Sequence, residues 1–107
     1  MNTCGCYGVV YIAGKMANLP DLGKAKFAEA AKELRGRCFS VLNPADLPDG
    51  MPVERYMPIC LAMVDAADTV YVLNNWKSSN GARIEVQYAM YQGKNIVHQE
   101  APDDAAE

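Results

Sequence analysis

Glu85 closes a polar, glycine-containing segment, Asn75-Trp76-Lys77-Ser78-Ser79-Asn80-Gly81-Ala82-Arg83-Ile84-Glu85. An apolar run, residues 69–73, precedes this segment, and a helical pattern ending near Gly93 follows it. A turn of this kind between a strand and a helix is where open α/β sheets bind ligands. The start of a helix presents free backbone N–H groups and a positive dipole end, both suited to an anion such as a phosphate. Gly81 lies four residues before Glu85, so the two share a helix face one turn apart. The missing side chain leaves bare space above the carboxylate. The pattern predicts a small pocket in which a ligand phosphate or sugar meets an acid.

Four apolar strand candidates, 8–13, 38–42, 69–73 and 95–98, alternate with three helix candidates. The first helix is expected from Pro20, a favourable first-turn residue, to residue 34 or 35, with Gly36 as its stop. The second is expected over 54–66 with Pro58 in or near its first turn, after a loop carrying Pro48, Asp49, Gly50 and Pro52. The third is expected over 79–92. Short apolar strands separated by helices predict an α/β fold, a flavodoxin-like (Rossmann-like) parallel sheet of four strands with helices on both faces. Right-handed crossovers leave few topologies. The order 2-1-3-4 sets the ends of strands one and three side by side at the switch point, where they carry Gly14-Lys15-Met16 and the segment 75–81. Residues 1–98 read as one domain and 99–107 as an acidic, disordered tail.

The composition is that of an ordinary globular chain, 50% hydrophobic and 21% charged over 107 residues. The net charge is −3, and Glu100, Asp103, Asp104 and Glu107 at the carboxyl end supply four of the 13 acids. The remainder carries no broad basic field, which argues against a nucleic-acid polymer as partner. No apolar run reaches membrane-spanning length and no signal peptide is visible, so a cytoplasmic location without a membrane partner is expected. Cys4-Gly5-Cys6 looks like half a metal site, but no second pair follows and His98 is the only histidine. No metal or other cofactor is therefore expected. Cys38 and Cys60 lie among apolar residues and read as buried thiols.

Two helices are more apolar than a monomer needs. In the third, Ala82, Val86, Ala89, Met90 and Gly93 form a stripe for the sheet, and Ile84, Tyr88 and Tyr91 form another on the far side. The second presents Met57, Ile59, Cys60, Leu61, Met63 and Val64 almost all round. A helix apolar all round is usually buried all round. In a small chain the expected cover is a second copy, which makes a homodimer.

Tyr11-Ile12-Ala13-Gly14, Ala67-Asp68 before the third strand, and Ser79-Asn80-Gly81-Ala82-Arg83-Ile84-Glu85 with Gly93 together resemble the nucleoside 2-deoxyribosyltransferase superfamily. Within it the chain looks most like short bacterial and phage members, over about residues 9–97. The resemblance implies cleavage or exchange of the N-glycosidic bond of a nucleoside or nucleoside 5′-monophosphate. A glutamate attacks the anomeric carbon through an oxocarbenium-like state. By the resemblance that nucleophile is Glu85, and a place in the second turn of a helix favours its ionised form. The Tyr11 hydroxyl would orient the carboxylate, and Gly14 would let the chain pass close to the ligand. Ser79 matches a position that tends to be aspartate in nucleoside-specific relatives, and nucleotide hydrolases resemble this chain in having serine. A 5′-phosphate would then meet Ser79, Lys15 and the N–H groups of Asn80, Gly81 and Ala82.

The chain departs from the family at one position. Family members commonly carry an aspartate eight residues before the equivalent of Asp68, and Cys60 stands there. A thiol is a poor acid near neutral pH, so the chain would be slow, would recruit another acid such as Asp46 or Glu54, or would bind without turnover. The rival class is thus a non-catalytic nucleotide-binding module, a sensor or a phage sequestering protein. A flavodoxin-like interaction scaffold is a third.

Each singled-out residue also has a plainer role. Glu85 can complement the helix dipole, Tyr11 can be a core residue with a satisfied hydroxyl, and Ser79 can cap the helix. Lys15 can be an ordinary solvated lysine. Trp76 either stacks on a base or covers the end of the sheet. Asp68 is expected to cap a strand start or helix end, and His98 to be structural or solvent-facing. Lys24, Lys26, Lys32, Arg35 and Arg37 are expected on the wet face of the first helix.

Overall fold

The two most apolar runs of the chain become the inner strands of its sheet. The structure, a computed structural model, describes residues 8–16 and 19–100. Its elements are β1 (Val9–Ala13), α1 (Lys24–Gly36), β2 (Ser40–Leu42), α2 (Val53–Ala66), β3 (Thr69–Val72), α3 (Asn80–Tyr91) and β4 (Asn95–His98). The strands pair in parallel in the order β2-β1-β3-β4, with Tyr11 set between Leu42 and Val70. β1 and β3 have strands on both sides and helices on both faces, so almost every position in them is buried and apolar. β4 is an edge and tolerates the exposed Asn95, Val97 and His98. The α/β architecture and the 2-1-3-4 order expected from the sequence are those observed.

Strand alternation divides the core in two. Tyr11, Ala13, Val70 and Val72 pack with Cys60 and Val64 of α2 and with Val86 and Ala89 of α3. Val10, Ile12, Tyr71 and Leu73 pack with Phe27, Ala30, Ala31 and Leu34 of α1. This division places the Tyr11 side chain on the same side of the sheet as α3.

Local backbone geometry moves several expected boundaries. The first helix begins at Lys24 rather than Pro20, because Asp21, Leu22 and Gly23 have left-handed backbones (φ +48°, +57° and +71°) in the 3-10 turn Pro20–Gly23. Gly23 is needed there, since a Cβ would also lie 2.9 Å from the Lys15 carbonyl oxygen. The second strand begins at Ser40, because Cys38, at φ +73°, turns the chain away from α1. Cys38 is half-buried and disulfide-bonded rather than a buried thiol, whereas Cys60 is a buried free thiol. Pro58 falls in the second turn of α2, on an exposed face where its missing N–H is tolerated. Met90, expected against the sheet, is 63% exposed, because it lies about 100° around the helix from the buried Ala89.

Asp68 holds a strand start, its Oδ2 accepting the Val9 N–H at 2.9 Å. Beyond β4, the Gln99 N–H donates to the Val72 carbonyl, and Asn74 donates to the Gln99 side chain and the Glu100 carbonyl. The remainder of the expected tail, residues 101–107, lies outside the described residues, as do Cys4 and Cys6. Among the described residues no helix is long and apolar enough to cross a membrane.

Candidate functional site

At the carboxyl ends of β1 and β3 the chain leaves the sheet in two directions. The two exit loops are joined by one hydrogen bond, from the Lys15 N–H to Asn75 Oδ1 at 3.1 Å. From this switch point β1 leads to α1 on one face and β3 to α3 on the other. A cleft of about 650 Å³ opens there.

Ser79 caps α3, its Oγ accepting the Ala82 N–H at 3.1 Å. The N–H groups of Asn80 and Gly81, in the first turn, have no partner in the helix's own ladder. One turn further along, Glu85 is directed into the protein and is only 7% exposed. The Tyr11 hydroxyl, fully buried, donates to Glu85 Oε1 at 2.9 Å. The Cys60 thiol of α2 sits against both groups. A Cβ on Gly81 would meet Met57 Cε at 3.6 Å, so the space expected above the carboxylate is roofed in part by α2.

Burial sets the protonation of this trio. It pushes the Glu85 carboxyl from 4.5 up to about 7, although hydrogen bonds from Tyr11 and Cys60 pull the other way. The dipole of α3, expected to favour the ionised form, is thus outweighed by desolvation. Burial pushes the Cys60 thiol up to about 11, with the Tyr11 hydrogen bond opposing and the Glu85 charge assisting. Tyr11 is held well above its ordinary value by burial first and by the Glu85 charge second. Near neutral pH, therefore, Tyr11 is a donor, Cys60 is a neutral thiol, and Glu85 is the member that changes charge.

Of the residues singled out in the sequence, Tyr11, Gly14, Ser79, Gly81, Ala82 and Glu85 line the cleft, and Lys15, Trp76 and Asn80 do not. The Lys15 backbone serves the loop junction. The Trp76 ring lies 5.6 Å from that of His98, tilted by 49°, as a cover over the sheet end. Asn80 Oδ1 accepts from Arg83 Nη2 at 2.6 Å. Gly14 borders the cleft, but its missing side chain answers to the core: a Cβ would lie 2.6 Å from Leu73 Cδ1 and 3.0 Å from Leu73 Cβ. Of the two substitute acids, Glu54 lines the cleft and Asp46 does not.

The far wall went unread in the sequence. Leu47, Asp49, Tyr56 and Met57 belong to it, all from the β2–α2 connection and the start of α2. That connection is braced. The Tyr56 hydroxyl donates to the Pro48 carbonyl at 2.7 Å and accepts the Met51 N–H at 3.1 Å, and Lys24 Nζ lies 2.9 Å from Asp49 Oδ2. The strand order alone could have located this wall, because it puts the end of β2 beside the end of β1.

Comparison with known proteins agrees with this geometry at the level of fold. The family described as "Domain of unknown function (DUF4406)" matches residues 8–98. No curated protein sequence matches the chain. The structure of a 2-desoxiribosyltransferase from Leishmania mexicana superimposes with a TM-score of 0.68 at 23% identity, over 85% of this chain. The match spans 63% of the length of that protein.

The raised Glu85 value has a consequence for stability. The folded state binds the proton more tightly than the unfolded chain, so this contribution is full below about 4.5 and is lost as pH rises through about 7. Glu85→Gln carries no such loss. Urea unfolding should show the variant gaining on the wild type between pH 4.5 and 8.5 by on the order of 3 kcal/mol. An equal difference at both pH values would place the Glu85 carboxyl back in the ordinary range.

Proposed function

This chain belongs to the DUF4406 family, and we propose that it cleaves or exchanges the N-glycosidic bond of a nucleoside 5′-monophosphate with Glu85 as nucleophile. The observation that carries this reading is the buried Tyr11–Glu85 hydrogen bond, 2.9 Å long, in a cleft that also opens on the start of α3. Tyr11 holds the carboxylate through Oε1, with the Cys60 thiol as a second hydrogen-bonding neighbour. Attack forms a bond from a Glu85 oxygen to the anomeric carbon as the bond from that carbon to the base nitrogen breaks. Water or a second base then takes the sugar from the ester and frees the carboxylate. The 5′-phosphate is assigned to the first turn of α3, where Ser79 and unpaired backbone N–H groups meet a positive dipole end.

The neutral Cys60 thiol supplies no acid for the departing base. Loss of a general acid costs on the order of 10²–10⁴ in rate, so turnover is expected to be slow. The same residue favours the second reading, a nucleotide-binding module without turnover. The apolar side chains of Ile84, which also lines the cleft, and Tyr91, 50% and 86% exposed, support a homodimer formed through α3.

A panel of nucleosides and their 5′-monophosphates, read by chromatography for free base, separates these readings. Base release from the monophosphates is expected, with at least about a tenfold preference over the nucleosides from charge-assisted hydrogen bonds to the phosphate. Glu85→Gln should abolish release and keep binding, since it preserves shape and removes the nucleophilic charge. Turnover by the variant at the wild-type rate would remove Glu85 from catalysis, and binding without release by the wild type would leave the binding module. For the assembly, light scattering should give twice the chain mass in the wild type and a smaller species or aggregate in Tyr91→Glu. A wild-type monomer at micromolar concentration would refute the dimer.

A further inference from the structure

Among the described residues the charged side chains that line the cleft are Asp49, Glu54 and Glu85, with no lysine or arginine. A ligand anion thus has the start of α3 to rest on, and the opposite wall offers acceptors. Most polar groups on that wall are already engaged. The Tyr56 hydroxyl spans Pro48 and Met51, and Asp49 is paired with Lys24 at 2.9 Å. Glu54, in the first turn of α2, is exposed and has no hydrogen-bond or ion-pair partner among the described residues. Along α2, Cys60 lies against Glu85 and Met57 comes one turn earlier, followed by Glu54 another turn towards the mouth. Six residues of helix put Glu54 about 9 Å along the axis from Cys60. A base attached at the anomeric carbon covers part of that distance, and the Glu54 side chain with its hydrogen bond covers the rest.

We propose that Glu54 selects the base, and that the cleft takes nucleotides whose base carries an exocyclic amino group in preference to the matching oxo base. The inference rests on the nucleoside reading of the site. An amino group donates to the carboxylate, whereas a carbonyl in its place turns lone pairs towards it. Discrimination therefore combines an attractive contact for one base with a repulsive one for the other. The apolar lining, Pro44, Leu47 and Met57, can hold the faces of a base but cannot tell an amino from an oxo edge.

The test uses two matched pairs of 5′-monophosphates in ribo and deoxy forms, adenine against hypoxanthine and cytosine against uracil. Base release is followed by chromatography and binding by calorimetry, for wild type and Glu54→Gln. The amino member should be favoured at least about tenfold, the equivalent of one hydrogen bond. In Glu54→Gln, whose amide offers both donor and acceptor, the ratio should fall to within about twofold, chiefly because the oxo member gains. Equal handling by the wild type, or a preference that persists unchanged in the variant, overturns the assignment. Amino-selective binding without base release would sustain Glu54 and remove the catalytic reading. Release without selectivity would do the reverse, and failure to bind any of these nucleotides would overturn both.

Discussion

An acid is buried at a cost, and the burial of Glu85 is the constraint on which the site depends. A carboxylate removed from water needs donors or a cation, or else it takes up a proton. Among the described residues no lysine or arginine lines the cleft, and the donors to the carboxylate are the Tyr11 hydroxyl at 2.9 Å and the Cys60 thiol. The hydrogen bonds from Tyr11 and Cys60 do not offset desolvation, so burial pushes the carboxyl up to about 7. The Tyr11 bond also restricts the fold. Tyr11 must face α3, which fixes which residues of β1 meet each helix layer. The cap at Ser79 must start α3 early enough for its second turn to pass over Tyr11. Cys60, a small side chain, lets α2 close against both partners.

The cleft is electrically uneven. One end holds the unpaired N–H groups and positive dipole of α3, and the other walls carry acids and apolar side chains. A ligand with an anionic head, a sugar over Glu85 and a donor-bearing ring fits that distribution, and a ligand anionic at both ends does not. The clamp of Lys24 on Asp49 joins the start of α1 to the loop after β2. Of the basic residues expected on the wet face of α1, Lys32, Arg35 and Arg37 are exposed, whereas Lys26 is half-buried and Lys24 is drawn into this clamp.

Much of this was legible in the sequence, for identifiable reasons. The inner strands are apolar at nearly every position, so β1 and β3 announce a sheet buried on both faces. Gly81 lies four residues before Glu85, one helical turn, and Ser79 reads as the cap before it, which sets the carboxylate in the second turn of α3. What was not legible depends on three-dimensional competition. The sign of the Glu85 shift required weighing dipole against desolvation, and the degree of burial is not written in residue spacing. Gly14 read as room for a ligand, yet Leu73 fills the space beside it. For Trp76 the sequence left stacking on a base and covering the sheet end both open, and its neighbour is His98, which only the pairing of β4 with β3 brings near. The left-handed run Asp21-Leu22-Gly23 breaks a helix that composition would start at Pro20, since two of its three residues give no glycine-like signal.

That Glu85 takes up the sugar is tested most directly by trapping. A nucleoside 5′-monophosphate with fluorine at C2 of the sugar destabilises the oxocarbenium-like state and slows breakdown of a glycosyl ester once formed. Mass spectrometry of the intact protein, followed by peptide mapping, reads the result. The expected outcome is the added mass of one fluorosugar phosphate, located on Glu85. Base release with no adduct, or an adduct on any other residue, would contradict it.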